Sequence, residues 1–291
     1  MVRQASEMIL NPDGSIYHLN LLPEDLASTV ILVGDPGRVA RVSRHFDTID
    51  VKKSKREFIT HTGWYRGKRI SVISTGIGTD NIDIVLNELD ALVNLDLKNG
   101  QRFEELTQLE LIRVGTSGAI QPDIPVDTFV LSELAMGFDG LLHYYDSGHV
   151  QMADLQFNFM EYCEWSVLKP APYAVRANRP LCDKLYSDLV INGFTATYSG
   201  FYGPQGRTLR LDLEDPQALK TLSDYTFDKL RITNMEMETA GIFGLAALMG
   251  HAAASLNCIL ANRVTGEFSS DPQGAIDDLI LYTLEKLTSQ A

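Results

Sequence analysis

LIRVGTSGAI, residues 111–120, is an apolar run that carries one charge, Arg113, separated by Val114 from Gly-Thr-Ser-Gly. A guanidinium at the end of a buried strand loses solvation that only a nearby anion replaces. The pattern predicts a strand ending near Arg113, a glycine turn and a following element, with an anion beyond the strand end. Two upstream stretches have the same build. TVILVG (29–34) is a strand stopped by glycine, and RVARVSRHF (38–46) spaces Val39, Val42 and Phe46 as a helix, with GDPGR at the junction. STGIGTDN (74–81) likewise leads into a helix with Ile82, Val85, Leu86, Leu89 and Val93 on one face.

Outward from these junctions, residues 58–75 predict a hairpin turning at Arg66 and Gly67, and strands are expected at 128–134 and 195–199. ITNMEM (232–237) reads as extended, TAGIFGLAALM (239–249) as a helix, ASLNCILAN (254–262) as a strand and AIDDLILYTLEKL (275–287) as a closing helix. The polar 94–108 and the aromatic-rich 143–165 lack a clean period; the second is expected to be a long covered loop, a lid or an oligomer contact. No linker or repeat divides the chain. The expected fold class is therefore α/β: a single domain over 1–291, with a mixed central β-sheet flanked by helices.

With 38 acidic against 25 basic residues, the formal net charge of −13 argues against nucleic acid or an anionic membrane as main partner. KKSKRE (52–57) runs against that trend, as a solvated strand edge or as a functional basic patch. The absence of a long apolar run or a signal-like start leads us to expect a cytoplasmic protein. Cys163, Cys182 and Cys258 are odd in number and widely spaced, which fits reduced thiols in the core. No HxxxH, GxSxG or GxxxxGK[ST] occurs, and GIGTDN has Asn81 where a dinucleotide fingerprint needs its third glycine. Metal and dinucleotide chemistry are therefore not expected.

Three constellations remain. Arg38 and Arg113, helped by Gly34 and Thr116, are candidates for an oxyanion site at strand ends, although Asp-Pro-Gly by itself is ordinary turn chemistry. In NMEMET (234–239), Glu236 and Glu238 in extended chain point to one side and suit vicinal hydroxyls; they equally suit the positive end of a helix starting at Thr239. In FYGPQGR (201–207), Gln205 donates and accepts while Arg207 only donates, a pairing for a flat heterocycle bearing carbonyls, with Phe201 against its face. A polar surface loop is the alternative.

GDPGRV, REF, STGIG, IRVGTSGAI, FYxxQxR, NMEMET and ANR, in this order and spacing, resemble the nucleoside phosphorylase I superfamily and most of all its uridine phosphorylases. The resemblance implies phosphate at Gly34, Arg38, Arg113 and Thr116, with Arg56 reaching in from a neighbouring subunit. It implies ribose at Glu236, Met237 and Glu238 with His18 of the neighbour, and a base at Phe201, Gln205 and Arg207. Catalysis would fall to Arg113, Arg207, Gln205 and Glu238, with no cofactor and no metal, and with inorganic phosphate as co-substrate. The implied assembly is a homo-oligomer built from dimers with shared active sites. The implied reaction is phosphorolysis of uridine to uracil and ribose 1-phosphate in nucleoside salvage. Asn262-Arg263 stands where purine-specific bacterial relatives carry a Ser-Asp pair that protonates the leaving base, which favours a pyrimidine. The alternatives are a purine nucleoside phosphorylase, a nucleosidase such as AMP nucleosidase, and a non-catalytic nucleotide sensor.

Overall fold

The computed structural model describes residue 4 and residues 6–289. A ten-stranded mixed sheet runs through it, formed by β1 (Thr29–Val33), β2 (Thr48–Lys55), β3 (Phe58–Tyr65), β4 (Lys68–Ser74), β5 (Glu110–Ala119), β6 (Phe129–Gly137), β7 (Tyr173–Arg176), β8 (Val190–Thr197), β9 (Asn234–Glu236) and β10 (Ala252–Asn262). The helices are α1 (Pro36–Ser43), α2 (Thr79–Asn94), α3 (Ala153–Tyr162), α4 (Arg179–Leu185), α5 (Ala218–Asp224), α6 (Thr239–Met249) and α7 (Pro272–Thr288). None of the described helices is long and apolar enough to cross a membrane.

Every residue of β1 is buried because the strand lies between parallel neighbours β4 and β5, with helices on both faces; this is why TVILV is apolar throughout instead of alternating. At the other extreme β2 ends the sheet, alternates in exposure and carries the basic stretch, the form in which edge strands avoid pairing with other chains. The turn between β3 and β4 falls at Arg66 and Gly67, both with positive φ, as expected of a tight hairpin.

Two apolar layers sandwich the sheet. Ile82, Val85, Leu86 and Leu89 of α2 pack with the all-apolar α6 on one side, and Val39 and Val42 of α1 join Leu279, Ile280 and Leu284 of α7 on the other. Burial of that order, at about 25 cal/mol per Å² of apolar surface, drives the assembly of such layers.

The structure corrects two expectations. The Gly-Thr-Ser-Gly segment is no turn: β5 runs unbroken from Glu110 to Ala119 and changes partners on the way. It leaves β1 after the Leu32–Arg113 pair, keeps β10 along its length, and meets β9 antiparallel at Gly118 and Ala119. The pairings β5–β10–β6–β8–β9–β5 thereby close on themselves, so the sheet is open on the β2 side and barrel-like on the other. The aromatic segment 143–165 is not simply a loop either, since it contains α3. Only Leu155 and Phe159 of that helix are buried while Phe157 and Tyr162 are exposed, so the helical period is masked by apolar residues facing outward. The polar insertion 94–108 folds into a minimal hairpin, 95–96 against 101–102.

Gly63 of β3 lies tight against the start of β2 and Phe46: a Cβ there would stand 2.1 Å from the Thr48 carbonyl oxygen and 2.9 Å from Ile49 Cα. Backbone has to move to admit it. Gly63→Ala is expected to cost about 1–3 kcal/mol, the usual range for overpacking. Urea unfolding checks this as a lower midpoint at unchanged slope, and an unchanged midpoint refutes the close packing.

Candidate active site

A cavity of about 820 Å³ opens where β1, β4, β5 and β9 end, and most of the predicted residues line it: Gly34, Arg38, Arg113, Thr116, Phe201, Gln205, Arg207, Glu236, Met237 and Glu238. Arg56 and His18 are not in its wall. Arg56 sits at the exposed turn between β2 and β3, and His18 Nδ1 lies 2.6 Å from Glu88 Oε1, in a segment whose backbone N–H groups also donate to Glu88. The two stay near each other, because Lys55 beside Arg56 donates to the Tyr17 carbonyl beside His18 at 2.5 Å.

Arg38 enters the cavity from the first turn of α1. Asp35 caps that helix by accepting from Gly37 N at 2.8 Å, and Pro36 stiffens its first turn. Although Arg38 is buried, the one hydrogen bond its side chain makes among the described residues is from Nη1 to the Val114 carbonyl at 3.1 Å; its Nε is sealed from solvent with no acceptor among them. Burial, and then the nearby Arg113, lower its pKa to about 10, so it stays cationic at neutral pH. An unused buried donor on a cation calls for an anion.

The anions that Arg113 meets are protein carboxylates. Its Nη2 lies 2.6 Å from Glu238 Oε2 and 3.2 Å from Glu236 Oε2, and its Nη1 donates to Asn257 Oδ1 at 2.5 Å. Burial disfavours its charge, but Glu236 and Glu238 outweigh burial and hold its pKa above the ordinary value. Gly115 makes this possible, since a Cβ there would lie 1.7 Å from Arg113 Nη1.

The two glutamates are not equivalent. Glu236 Oε1 accepts from the Thr197 hydroxyl at 2.6 Å, and Oε2 accepts from the backbone N–H groups of Glu238 and Thr239, both at 2.9 Å. It therefore closes the start of α6, the helix-entry role that the sequence left open beside the sugar role. Glu238 accepts from Gly78 N at 2.8 Å with its other oxygen. Burial raises its pKa, with Arg113 opposing and Glu236 adding.

At the far end, Arg207 Nη1 donates to Gln205 Oε1 at 2.6 Å and to the Phe201 carbonyl at 2.7 Å, and its guanidinium lies 3.8 Å from the Phe201 ring centroid. Arg263 supports the loop from below, donating to the carbonyls of Gln205 at 3.0 Å and Gly206 at 3.3 Å. Burial, and then Arg263, lower the Arg207 pKa to about 10. Asn262 is fully occupied in structure: its amide donates to the Gln121 and Ile124 carbonyls, and its oxygen accepts from Val264 N and Thr265 N.

Glu57, Ile77, Asn81 and Phe268 also line the cavity, and sequence reasoning had not placed them there. Asn81 carried a signal, being in the first turn of the helix after a glycine loop. Phe268 carried none, because the loop after β10 brings it to the rim.

Residues 28–281 match the family model described as Phosphorylase superfamily. The chain is 33% identical over 256 residues to the uridine phosphorylase of Thermococcus kodakarensis, covering 88% of this chain and 80% of that protein. It is 28% identical over 274 residues to a DeoD-type purine nucleoside phosphorylase of Caldanaerobacter subterraneus, covering 92% and 98%. A solved Trypanosoma brucei nucleoside phosphorylase with uridine phosphorylase activity superposes with a TM-score of 0.87 at 28% identity, covering 97% of this chain and all of that one. The chain belongs to the phosphorylase superfamily and is an enzyme of the pentosyltransferase class.

Removing the charge of Glu236 leaves a buried guanidinium short of one partner and puts an amide N–H₂ among groups that already donate. Glu236→Gln is expected to lose about 3–5 kcal/mol of stability, more than Glu238→Gln, which disturbs fewer bonds. Unfolding curves of both variants check the order, and a wild-type midpoint for Glu236→Gln refutes its role at the α6 start.

Proposed function

We propose that the protein cleaves uridine by phosphorolysis, giving uracil and ribose 1-phosphate. The observation that carries the choice of base is the loop end of the cavity: Gln205, Arg207 and Arg263 gather there, and neither arginine is paired with a carboxylate among the described residues. A purine leaving group is helped by an acid that protonates it; uracil leaves as an anion, which donors stabilise directly. Asn262, spent on backbone contacts, offers no such acid.

In this proposal phosphate binds between Arg38 and Arg113, near Gly34 and Thr116, where the Arg38 Nε donor is free. Ribose lies against Met237 and the Glu236–Glu238 pair. A phosphate oxygen attacks C1′ as the C1′–N1 bond breaks, the bond pair leaves with uracil, and the positive character at C1′ resembles that in glycosidases. Arg207 and Gln205 hold the departing base by bonds that strengthen as its charge grows. No protein nucleophile and no cofactor takes part.

The same proposal makes the chain one domain over its length, a cytoplasmic salvage enzyme, and a homo-oligomer built from dimers in which Arg56 and His18 complete the neighbour's site. Their closeness to each other, outside the chain's own cavity, supports that arrangement.

A nucleoside panel with and without phosphate tests the function. Uridine cleavage that needs phosphate, with ribose 1-phosphate as product, is the expected result. Equal base release without phosphate makes the protein a nucleosidase, and preference for inosine or adenosine makes it a purine phosphorylase. Arg207→Ala is expected to lower kcat on uridine by roughly 100- to 1000-fold, the usual effect of losing one donor to developing charge. A change below about threefold, worth under about 0.7 kcal/mol, places Arg207 outside the transition-state contacts. For the shared site, inactive Arg56→Ala and Arg113→Ala chains mixed equally and reassembled are expected to regain about one quarter of wild-type sites, since half the dimers are mixed and carry one intact site each. No recovery, with subunit exchange verified by mass spectrometry, assigns Arg56 to its own chain or to none.

A further inference from the structure

Asn257 is out of place by composition. It lies on β10 inside ASLNCILAN, is wholly buried, and has no direct place in the cavity wall. A buried carboxamide costs stability unless it is hydrogen-bonded, and here the bond at its oxygen and the bond at its nitrogen both go to groups that lead back to Arg113. Asn257 is paired in register with Gly115, the residue over which the Arg113 side chain folds, and Ser255 is paired with Arg113 itself. Asn257 Oδ1 accepts from Arg113 Nη1 at 2.5 Å and its Nδ2 donates to Ser255 Oγ at 3.1 Å. Ser255 and Thr239 share a hydroxyl bond at 2.9 Å, Thr239 N donates to Glu236 Oε2 at 2.9 Å, and that oxygen is 3.2 Å from Arg113 Nη2. The circuit closes on Arg113. It joins β5, β10 and the start of α6, and every side chain in it is buried.

We propose that Asn257 is the positioning residue that aims Arg113 at the anion, and that its being an amide preserves the site's affinity for a doubly charged one. Charge balance gives the second half of the claim. Arg38 and Arg113 share the cavity with Glu236, Glu238, Asp35 and Glu57, so the anion end has no surplus of positive charge, and Arg38 still has a donor to offer. Aspartate at 257 would accept the same bond with the same reach but would add one more negative charge beside Arg113 and repel a dianion. Glycine at 115 and asparagine at 257 therefore act as a pair: one admits the guanidinium, and the other fixes its rotation without taking its charge.

The inference rests on phosphate being the anion, so binding is measured beside turnover. Titration calorimetry with inorganic phosphate, steady-state kinetics in phosphate and in uridine, and thermal melting are run on wild type, Asn257→Asp and Asn257→Ala. Asn257→Asp is expected to fold with a melting temperature at or above wild type, because the guanidinium gains a charged partner, yet to weaken phosphate binding and raise phosphate KM by about tenfold or more, about 1.4 kcal/mol. The KM for uridine is expected to move less than about threefold. Asn257→Ala, which frees the guanidinium to turn, is expected to weaken phosphate in the same way with some loss of melting temperature. A folded Asn257→Asp that binds phosphate within about twofold of wild type overturns the proposal while leaving the phosphorolytic function standing. Equal losses for phosphate and uridine, or failure of both variants to fold, make Asn257 a structural residue and overturn it as well. Wild type that binds no phosphate and releases uracil without it overturns the functional proposal, and this one with it.

Discussion

A guanidinium held inside a central strand is the constraint around which the molecule is organised. Arg113 has lost nearly all contact with water, and a charge in that position is tolerated only if its partners are close and correctly oriented. Those partners come from two places distant in sequence, Glu236 and Glu238 from the junction of β9 and α6 and Asn257 from β10, while Gly115 on β5 itself leaves the room in which they meet. A slip of one residue between β5 and β10 would turn Arg113 to the opposite face of the sheet, against apolar helices. The ion pairs thus contribute more to choosing one register than to net stability, where a well-packed apolar substitute often does as well.

The same arrangement prepares the cavity for chemistry before any ligand enters. Arg38 lies near Arg113, whose charge Glu236 and Glu238 share, and half-buried Arg207 lies near Arg263; burial is the larger cause of the lowered pKa at both Arg38 and Arg207. Donors held in this way, Arg38 Nε among them, are set to receive negative charge. In the proposed reaction that charge arrives twice, as bound phosphate at one end and as charge developing on the base at the other. Between them the carboxylates of Glu236 and Glu238 are tied to backbone and to Arg113, so their geometry does not depend on substrate. Preorganised dipoles and charges of this kind do not have to reorient during the reaction, which is the source of their catalytic effect.

Much of this was legible in the sequence because it depends on local rules. Alternation of strand and helix, the hairpin at Arg66 and Gly67, the helix at 239–249 and the strand-to-helix junction at GDPGR follow from periodicity, turn chemistry and the polarity of helix ends. So did the grouping of Gly34, Arg38, Arg113, Thr116, Glu236, Met237, Glu238, Phe201, Gln205 and Arg207, through motif order and the family resemblance. The misses share a cause. The helix α3 hides behind exposed Phe157 and Tyr162, and Gly-Thr-Ser-Gly looks like a turn although it is strand, with Gly115 making room for the Arg113 side chain where β5 changes partners. Asn257 and Phe268 were invisible because nothing near them in sequence explains them.

By itself the sequence determined the α/β class, the order of elements and the chemical types that a site can be built from, since these are set by spacing within some ten residues. Only the tertiary structure decided that β5 closes a barrel on β9, that Glu236 serves the start of α6 while Glu238 shares itself between Arg113 and Gly78, and that Asn257 turns Arg113 toward the cavity. Charge pairing and hydrogen bonding act over a few ångströms in space, and Arg113 is separated from Glu238 and Asn257 by more than a hundred positions of chain; no local pattern records which of many possible partners a buried group will meet.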